Sequence, residues 1–103
     1  MNGDTLQQKV VITNPQGLHM RPATAFAQLA GSFQSSVQVG KDGKNVNGKS
    51  PLELIFLNAP CGTELIIEAS GPDAKEAVKA LAELLHTIRF DEEELGPPLP
   101  PKG

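Results

Sequence analysis

The segment PQGLHMRPAT places His19 between a glycine-bearing turn and Arg21. A neutral imidazole is a good nucleophile near pH 7, and a guanidinium is the side chain best matched to a phosphate group. Pro22 suits the first turn of a helix, so His19 is predicted to lie where a helix begins. The backbone amides there are unpaired, and the helix dipole attracts anions. These residues could therefore accept and hold a phosphoryl group.

A lone histidine near a helix start is more often an ordinary surface residue, and that alternative stays open on placement alone. His86 is predicted to lie near the end of a long helix, where a cation complements the dipole, and we interpret it as structural. No second histidine, cysteine or carboxylate is close to His19 in the sequence. The sequence therefore predicts no metal site and no cofactor.

The apolar patterns predict a fold of the α+β class. Alternating or β-branched runs indicate four strands, and apolar residues at intervals of three and four indicate helices between them. The fold expected is an open-faced two-layer sandwich, with a four-stranded antiparallel sheet covered by three helices in the order β-α-β-β-α-β-α. The predicted elements are a strand at 9–13, a helix after Arg21, strands at 34–39 and 44–46, a helix at 51–59, a strand at 63–70 and a helix from Ala74.

Several short motifs predict where these elements begin and turn. Asp42 and Gly43 form a dipeptide typical of a two-residue hairpin. Ser50 precedes Glu53 by three residues, which is the pattern of a capping box at a helix start. Asp73 is the expected N-cap of the last helix.

Charge and composition divide the 103 residues into a domain at 1–90 and a tail at 91–103. The domain has eight basic and eight acidic residues, so the net charge of −3 comes from the acidic, proline-rich tail, predicted to be disordered or extended. A neutral domain argues against nucleic acid as a partner. One cysteine, Cys61, excludes an internal disulfide, and no run is long and apolar enough for membrane insertion. We expect a cytoplasmic monomer.

Two stretches together resemble a known family. NPQGLHMRPATAFAQLA is similar to the active-site signature of the histidine-containing phosphocarrier (HPr) family, usually Gly-Leu-His-Ala-Arg-Pro-Ala. NGKSPLELIFLNAPCGTELIIEASGPDAKEAVKAL is similar to the family's serine region and final strand–helix unit. The resemblance covers residues 6–89 and includes the predicted order of elements.

The resemblance implies a carrier in the phosphoenolpyruvate-dependent sugar phosphotransferase system rather than a free-standing enzyme. Such proteins accept a phosphoryl group from enzyme I and pass it to A-type enzyme II components. The group would sit on Nδ1 of His19, Arg21 would shield its charge, and Gly17 and Met20 would complete the phosphate-binding segment.

The resemblance also implies a regulatory site and a docking surface. Ser50 matches a serine phosphorylated in many bacteria by an HPr serine kinase/phosphorylase, although its capping pattern gives it a structural role as well. Partners would bind at Met20, Leu52 and Ile55, with Phe56 beside them.

The sequence departs from the family pattern at Gln16, Met20 and Pro51, where smaller or apolar residues are usual. Two other functions stay open. One is an HPr-like regulator that signals through His19 or Ser50 without sugar transport. The other is a small binding module in which the histidine is incidental, since a fold alone does not determine function.

Overall fold

The computed structural model describes the backbone of residues 4–13 and 15–95 and the side chains of residues 5–13 and 15–86. Seven elements follow one another in the order expected from the sequence. They are β1 (Asp4–Val11), α1 (Met20–Gly31), β2 (Ser36–Lys41), β3 (Lys44–Asn47), α2 (Pro51–Phe56), β4 (Glu64–Gly71) and α3 (Ala74–Leu95).

The four strands form one antiparallel sheet in the order β1-β4-β2-β3, which confirms the predicted fold class. Side chains alternate between the two faces, because successive residues of a strand point in opposite directions. The covered face carries buried Val37 and Val39 from β2 and buried Leu65, Ile67 and Ala69 from β4. The other face is exposed, as an open-faced sandwich requires.

The helices supply the second half of the core. Residues spaced three and four apart on α1 and α3 point to the same side, so each helix buries one stripe. Helix α3 packs over β1 and β4, while α1 packs against α2 and α3. The buried residues of these two helices are Pro22, Ala23, Phe26, Ala27 and Ala30 on α1, and Ala74, Ala77, Val78, Leu81 and Leu85 on α3.

The hairpin between β2 and β3 turns at Asp42 and Gly43, as predicted. Both have positive φ, +52° and +83°. Two consecutive positive φ values are the requirement of a type I′ turn, whose twist matches that of the flanking strands. The turn brings Lys41 opposite Lys44 at the start of the ladder.

Several boundaries differ from the sequence prediction. Strand β1 begins at Asp4 instead of residue 9, because it pairs with β4 along its whole length. Helix α2 ends at Phe56 instead of residue 59, and Asn58 takes a φ of +60° that no helix continues through. Helix α3 continues to Leu95, so residues 91–95, expected in the tail, are helical, and the rest of that tail lies outside the described residues.

A carboxylate at the far end of the sheet joins two loops. Asp73 precedes α3 and accepts three hydrogen bonds, from the Ser35 hydroxyl at 2.5 Å, the Gln34 amide at 2.9 Å and the Ser35 amide at 2.9 Å. Its own amide donates to the Ser35 hydroxyl at 3.1 Å. The Ser35 hydroxyl and then the Gln34 amide are the main causes that lower the pKa of Asp73 below its ordinary value. Asp73 therefore caps α3 through its carbonyl, while its side chain holds the segment that enters β2.

Candidate functional site

His19 is the residue at which the chain leaves the β1–α1 loop and enters α1. Its backbone is extended, with φ −97° and ψ −163°, and its carbonyl accepts the first helical hydrogen bond, from the Ala23 amide at 2.9 Å. This is the geometry of an N-cap, as the sequence predicted. The residue is partly exposed, so its imidazole stands at a surface corner of the domain.

The loop that carries His19 is fastened to the segment before β4. The Leu18 amide donates to the Ala59 carbonyl at 2.8 Å, and the Ile12 carbonyl accepts from the Gly62 amide at 2.7 Å. Gly17 is buried with φ +75°, and a Cβ atom there would lie 2.6 Å from the Ala59 oxygen. Glycine is required because both the conformation and the close approach exclude a side chain.

Ala59 and Pro60 thus support the loop directly before His19. Sequence reasoning assigned neither residue to the site. The glycine of the turn was a signal that some backbone approaches closely, but no local pattern identifies a contact about forty residues away in the chain.

The first turn of α1 is suited to an anion. The amides of Met20 and Arg21 are the first of the helix and have no helical acceptor. Pro22 has no N–H to offer, and the first turn contains no acidic residue. Arg21 is exposed and lies two residues after His19. A phosphoryl group on His19 would meet amide donors, the positive end of the helix dipole and a guanidinium.

Of the residues expected to bind phosphate, Met20 and Arg21 lie on this exposed turn, whereas Gly17 lies behind it. The Gly17 carbonyl accepts the His19 amide at 3.0 Å. Gly17 is therefore buried and determines the conformation of the loop, whereas Met20 and Arg21 are on the exposed surface. No surface hollow is needed for this chemistry, and the hollow of about 430 Å³ between β1 and α3 contains none of the predicted site residues.

The residues expected to bind partners are exposed or partly exposed. Met20 and Leu52 are 64% and 62% exposed, and Phe56 is 73% exposed. Ile55 is only partly exposed and packs against the core, while Leu54 is completely buried and anchors α2. Large exposed apolar side chains on two neighbouring helices are typical of a protein-binding surface.

Ser50 is the N-cap of α2, as expected, with its hydroxyl accepting from the Glu53 amide at 3.3 Å. The predicted capping box is only half formed. The Glu53 carboxylate accepts the Asn47 amide at 2.9 Å rather than the Ser50 amide, which donates to the Asn47 carbonyl. Glu53 therefore joins α2 to the end of β3.

Across the part of the chain that the structure describes, no helix combines the length and the apolar character needed to cross a bilayer.

A partly exposed histidine at a helix start, supported on an open-faced β-α-β-β-α-β-α sandwich, is an arrangement suited to a small carrier of phosphoryl groups. The family described as "PTS HPr component phosphorylation site" matches residues 6–87. The chain therefore belongs to the HPr family of phosphocarrier proteins of the phosphotransferase system.

Individual relatives agree with this assignment. The phosphocarrier protein HPr of Neisseria meningitidis is 42% identical over 81 residues, which cover 79% of this chain and 91% of that protein. A crystal structure of HPr from Thermoanaerobacter tengcongensis has a TM-score of 0.78 at 37% identity and covers 91% of this chain and 99% of that one. The crystal structure of Crh from Bacillus subtilis, described as a swapped dimer, has a TM-score of 0.66 at 43% identity and covers 80% and 94%.

Proposed function

We propose that this protein accepts a phosphoryl group on His19 from phosphorylated enzyme I and passes it to A-type enzyme II components in the cytoplasm. The observation that carries the proposal is the position of His19 as the partly exposed N-cap of a helix whose first turn has no acidic residue. Two different partners can approach such a corner in turn. Membership of the family supports the same role.

The reaction transfers one phosphoryl group from a donor to His19 and then from His19 to an acceptor. The lone pair of His19 Nδ1 attacks phosphorus, a new P–N bond forms, and the bond from phosphorus to the donor breaks with its electron pair staying on the donor. The second step repeats this with the acceptor as nucleophile. Arg21 and the Met20 amide stabilise the phosphate charge, while the exposed setting keeps ground-state binding weak enough for onward transfer.

Met20, Leu52 and Ile55 form the proposed docking surface around the two helix starts. The exposed side chains of Met20 and Leu52 supply apolar area that a partner can bury. Ile55 contributes the edge that remains outside the core.

The experiment is an intact-mass measurement after incubation with phosphoenolpyruvate and enzyme I. We expect one added phosphoryl group on the native chain, lost after brief acidification because a phosphoramidate is acid-labile. His19→Ala should show no addition. His86→Ala is the matched control, since it removes the only other histidine from an exposed position on α3 and should be phosphorylated normally.

Phosphorylation of His19→Ala, or an acid-stable addition, would contradict His19 as the acceptor. A folded native chain that gains no phosphoryl group from several enzymes I would contradict the carrier function.

We further propose that Ser50 is a regulatory phosphorylation site for an HPr serine kinase/phosphorylase. A phosphate there would add charge close to Glu53 and beside the apolar docking surface, which would repel an acidic partner. Ser50→Asp should lower the rate of transfer from enzyme I. Ser36→Asp, on the exposed face of the sheet, is the control for charge alone. Equal rates in the two variants would contradict a regulatory role.

An HPr-like regulator without sugar transport is the second candidate, because Crh is among the relatives. The regulator would bind a transcription factor or an enzyme after phosphorylation on His19 or Ser50. Genes for sugar-specific enzyme II components beside the gene for this protein would favour the carrier, and a lone kinase gene would favour the regulator.

A further inference from the structure

A hollow of about 370 Å³ lies between the end of α2 and the β2–β3 hairpin. It is separate from the exposed turn that carries His19 and Arg21. Its lining residues are Lys41, Asp42, Lys44, Phe56, Leu57 and Asn58.

One side of the hollow is held rigid by Lys41. Its ammonium group donates to the Asn58 carbonyl at 2.7 Å and to the Leu57 carbonyl at 3.2 Å. A cation at the last carbonyls of a helix also complements the negative end of its dipole. The hairpin is thereby fastened to the end of α2.

The other side presents an aromatic ring and a positive charge. Phe56 is 73% exposed, the largest exposed fraction among the large apolar side chains of the described residues. Lys44 is also exposed, at the first position of β3. With Asp42 as the one acidic lining residue, two lysines leave this hollow positive on a molecule whose net charge is −3.

The hollow is connected to the proposed transfer site by the backbone. Asn58 precedes Ala59, whose carbonyl holds the Leu18 amide directly before His19. Phe56 also lies one residue after Ile55 of the proposed docking surface. Leu52 and Phe56 are four residues apart on α2, so a protein that covers Leu52 lies about one helical turn from the hollow.

We propose that this hollow binds a segment of the phosphotransfer partner in which an apolar side chain is flanked by carboxylates. The proposal rests on the carrier function proposed above. The apolar side chain packs on Phe56, and the carboxylates approach Lys44, so the hollow acts in choosing the partner rather than in the chemical step. Charge complementarity at an interface rim affects association more than chemistry, which gives the proposal a kinetic signature.

The test compares Lys44→Glu and Phe56→Ser with Lys79→Glu, which makes the same charge change on the exposed side of α3. Initial rates are measured for transfer from phosphorylated enzyme I to each variant, and from each phosphorylated variant to an A-type enzyme II component. We expect Lys44→Glu and Phe56→Ser to raise KM for at least one partner by roughly fivefold or more, with kcat nearly unchanged. Lys79→Glu should change KM by less than about twofold, because a remote surface charge is screened.

A second measurement concerns salt. If Lys44 attracts carboxylates, raising ionic strength should raise KM for the native chain more steeply than for Lys44→Glu. Equal KM values for Lys44→Glu and Lys79→Glu with both partners would overturn the proposal, as would a fall in kcat alone. Failure of the carrier function is distinguishable from either result, because the native chain itself would then gain no phosphoryl group.

Discussion

Arg21 is exposed on the first turn of α1, so its side chain can be changed without disturbing the core. Removing the guanidinium removes a charge-assisted contact to the phosphoryl group. We expect Arg21→Ala to lower kcat/KM for transfer from enzyme I by about 10- to 100-fold, since such contacts contribute about 1.5–3 kcal/mol. Arg21→Lys should retain part of the rate, because it keeps the charge and loses the planar fork. Rapid-quench measurements give the rates.

The control for Arg21→Ala is the free energy of unfolding in urea, which should stay within about 0.5 kcal/mol of the native value. A variant of native stability that transfers at the native rate would show that the backbone amides and the helix dipole suffice for the phosphate.

Gly17 and Gly43 provide a second comparison of single residues, because both have positive φ but different surroundings. A Cβ atom at Gly43 would meet nothing within 4 Å, whereas one at Gly17 would lie 2.6 Å from the Ala59 oxygen. Gly43→Ala should therefore cost only the strain of a left-handed residue, about 1 kcal/mol. Gly17→Ala adds a backbone collision and should cost about 3 kcal/mol or more. Urea unfolding of the two variants measures the difference.

Gly17→Ala should also slow phosphotransfer, because the loop can relieve the collision only by moving away from Ala59 and taking His19 with it. Equal losses of stability in the two alanine variants would contradict the role assigned to Ala59 as the support of the site.

Among the elements, the connection between the β2 entry and the start of α3 depends on one carboxylate. The hydrogen bonds from Ser35 and Gln34 lower the pKa of Asp73, so its ionised form is favoured by folding. A lowered folded-state pKa contributes stability that is present above the unfolded pKa, about 3.9, and is lost as pH falls through the folded value. Asp73→Asn should be less stable near pH 7, because its amide group would face an N–H donor.

The difference in unfolding free energy between native and Asp73→Asn should shrink as pH falls below about 4, because the carboxylate of the unfolded chain is protonated there before the native one, whose pKa is lowered. Urea unfolding at several pH values measures it. Asp42→Asn is the matched control, since Asp42 is exposed in a turn where asparagine is equally suited. A constant difference from pH 7 to pH 3 would contradict the contribution of the Asp73 charge.

The same carboxylate explains why one element could not be located from the sequence alone. Alternation predicted β2 to begin at Gln34, but the amides of Gln34 and Ser35 bond to Asp73, so the strand begins at Ser36. The order of elements, the hairpin turn and the buried stripes were predictable, because each follows from local spacing. The polar start of β1 was not, because Gln7 and Gln8 become a strand only by pairing with β4.

The residues of the candidate site also divide into those that local sequence predicts and those that depend on the packing of distant segments. The sequence predicted His19 at the helix start, with Arg21 beside it, because capping and proline placement are local. The support from Ala59 and the link between Glu53 and Asn47 depend on segments brought together by the fold. The exposure of Phe56 likewise required the packing of α2, since its apolar neighbours are indistinguishable from it in the sequence.

For the whole molecule, the connection from β1 to α1 determines whether two copies of this chain could exchange β1. The Crh structure is described as a swapped dimer. Exchange is favoured when a short hinge cannot turn back within its own chain. Here the segment at 12–19 turns back through Gly17 at φ +75° and forms intrachain bonds from Leu18 to Ala59 and from Gly62 to Ile12. A swapped dimer would only re-form these contacts between chains and would lose the entropy of association.

We therefore expect a monomer by sedimentation equilibrium across the micromolar range, and the phosphorylated and unphosphorylated forms should not differ. The variant Gly17→Ala tests the same argument in the opposite direction. It makes the reversal of the chain at 12–19 unfavourable and should increase the dimer fraction at the same concentration. A native chain that sediments as a dimer would contradict the prediction. An increase in dimer with Gly17→Ala but not with Gly43→Ala would assign the monomeric state to the turn before His19.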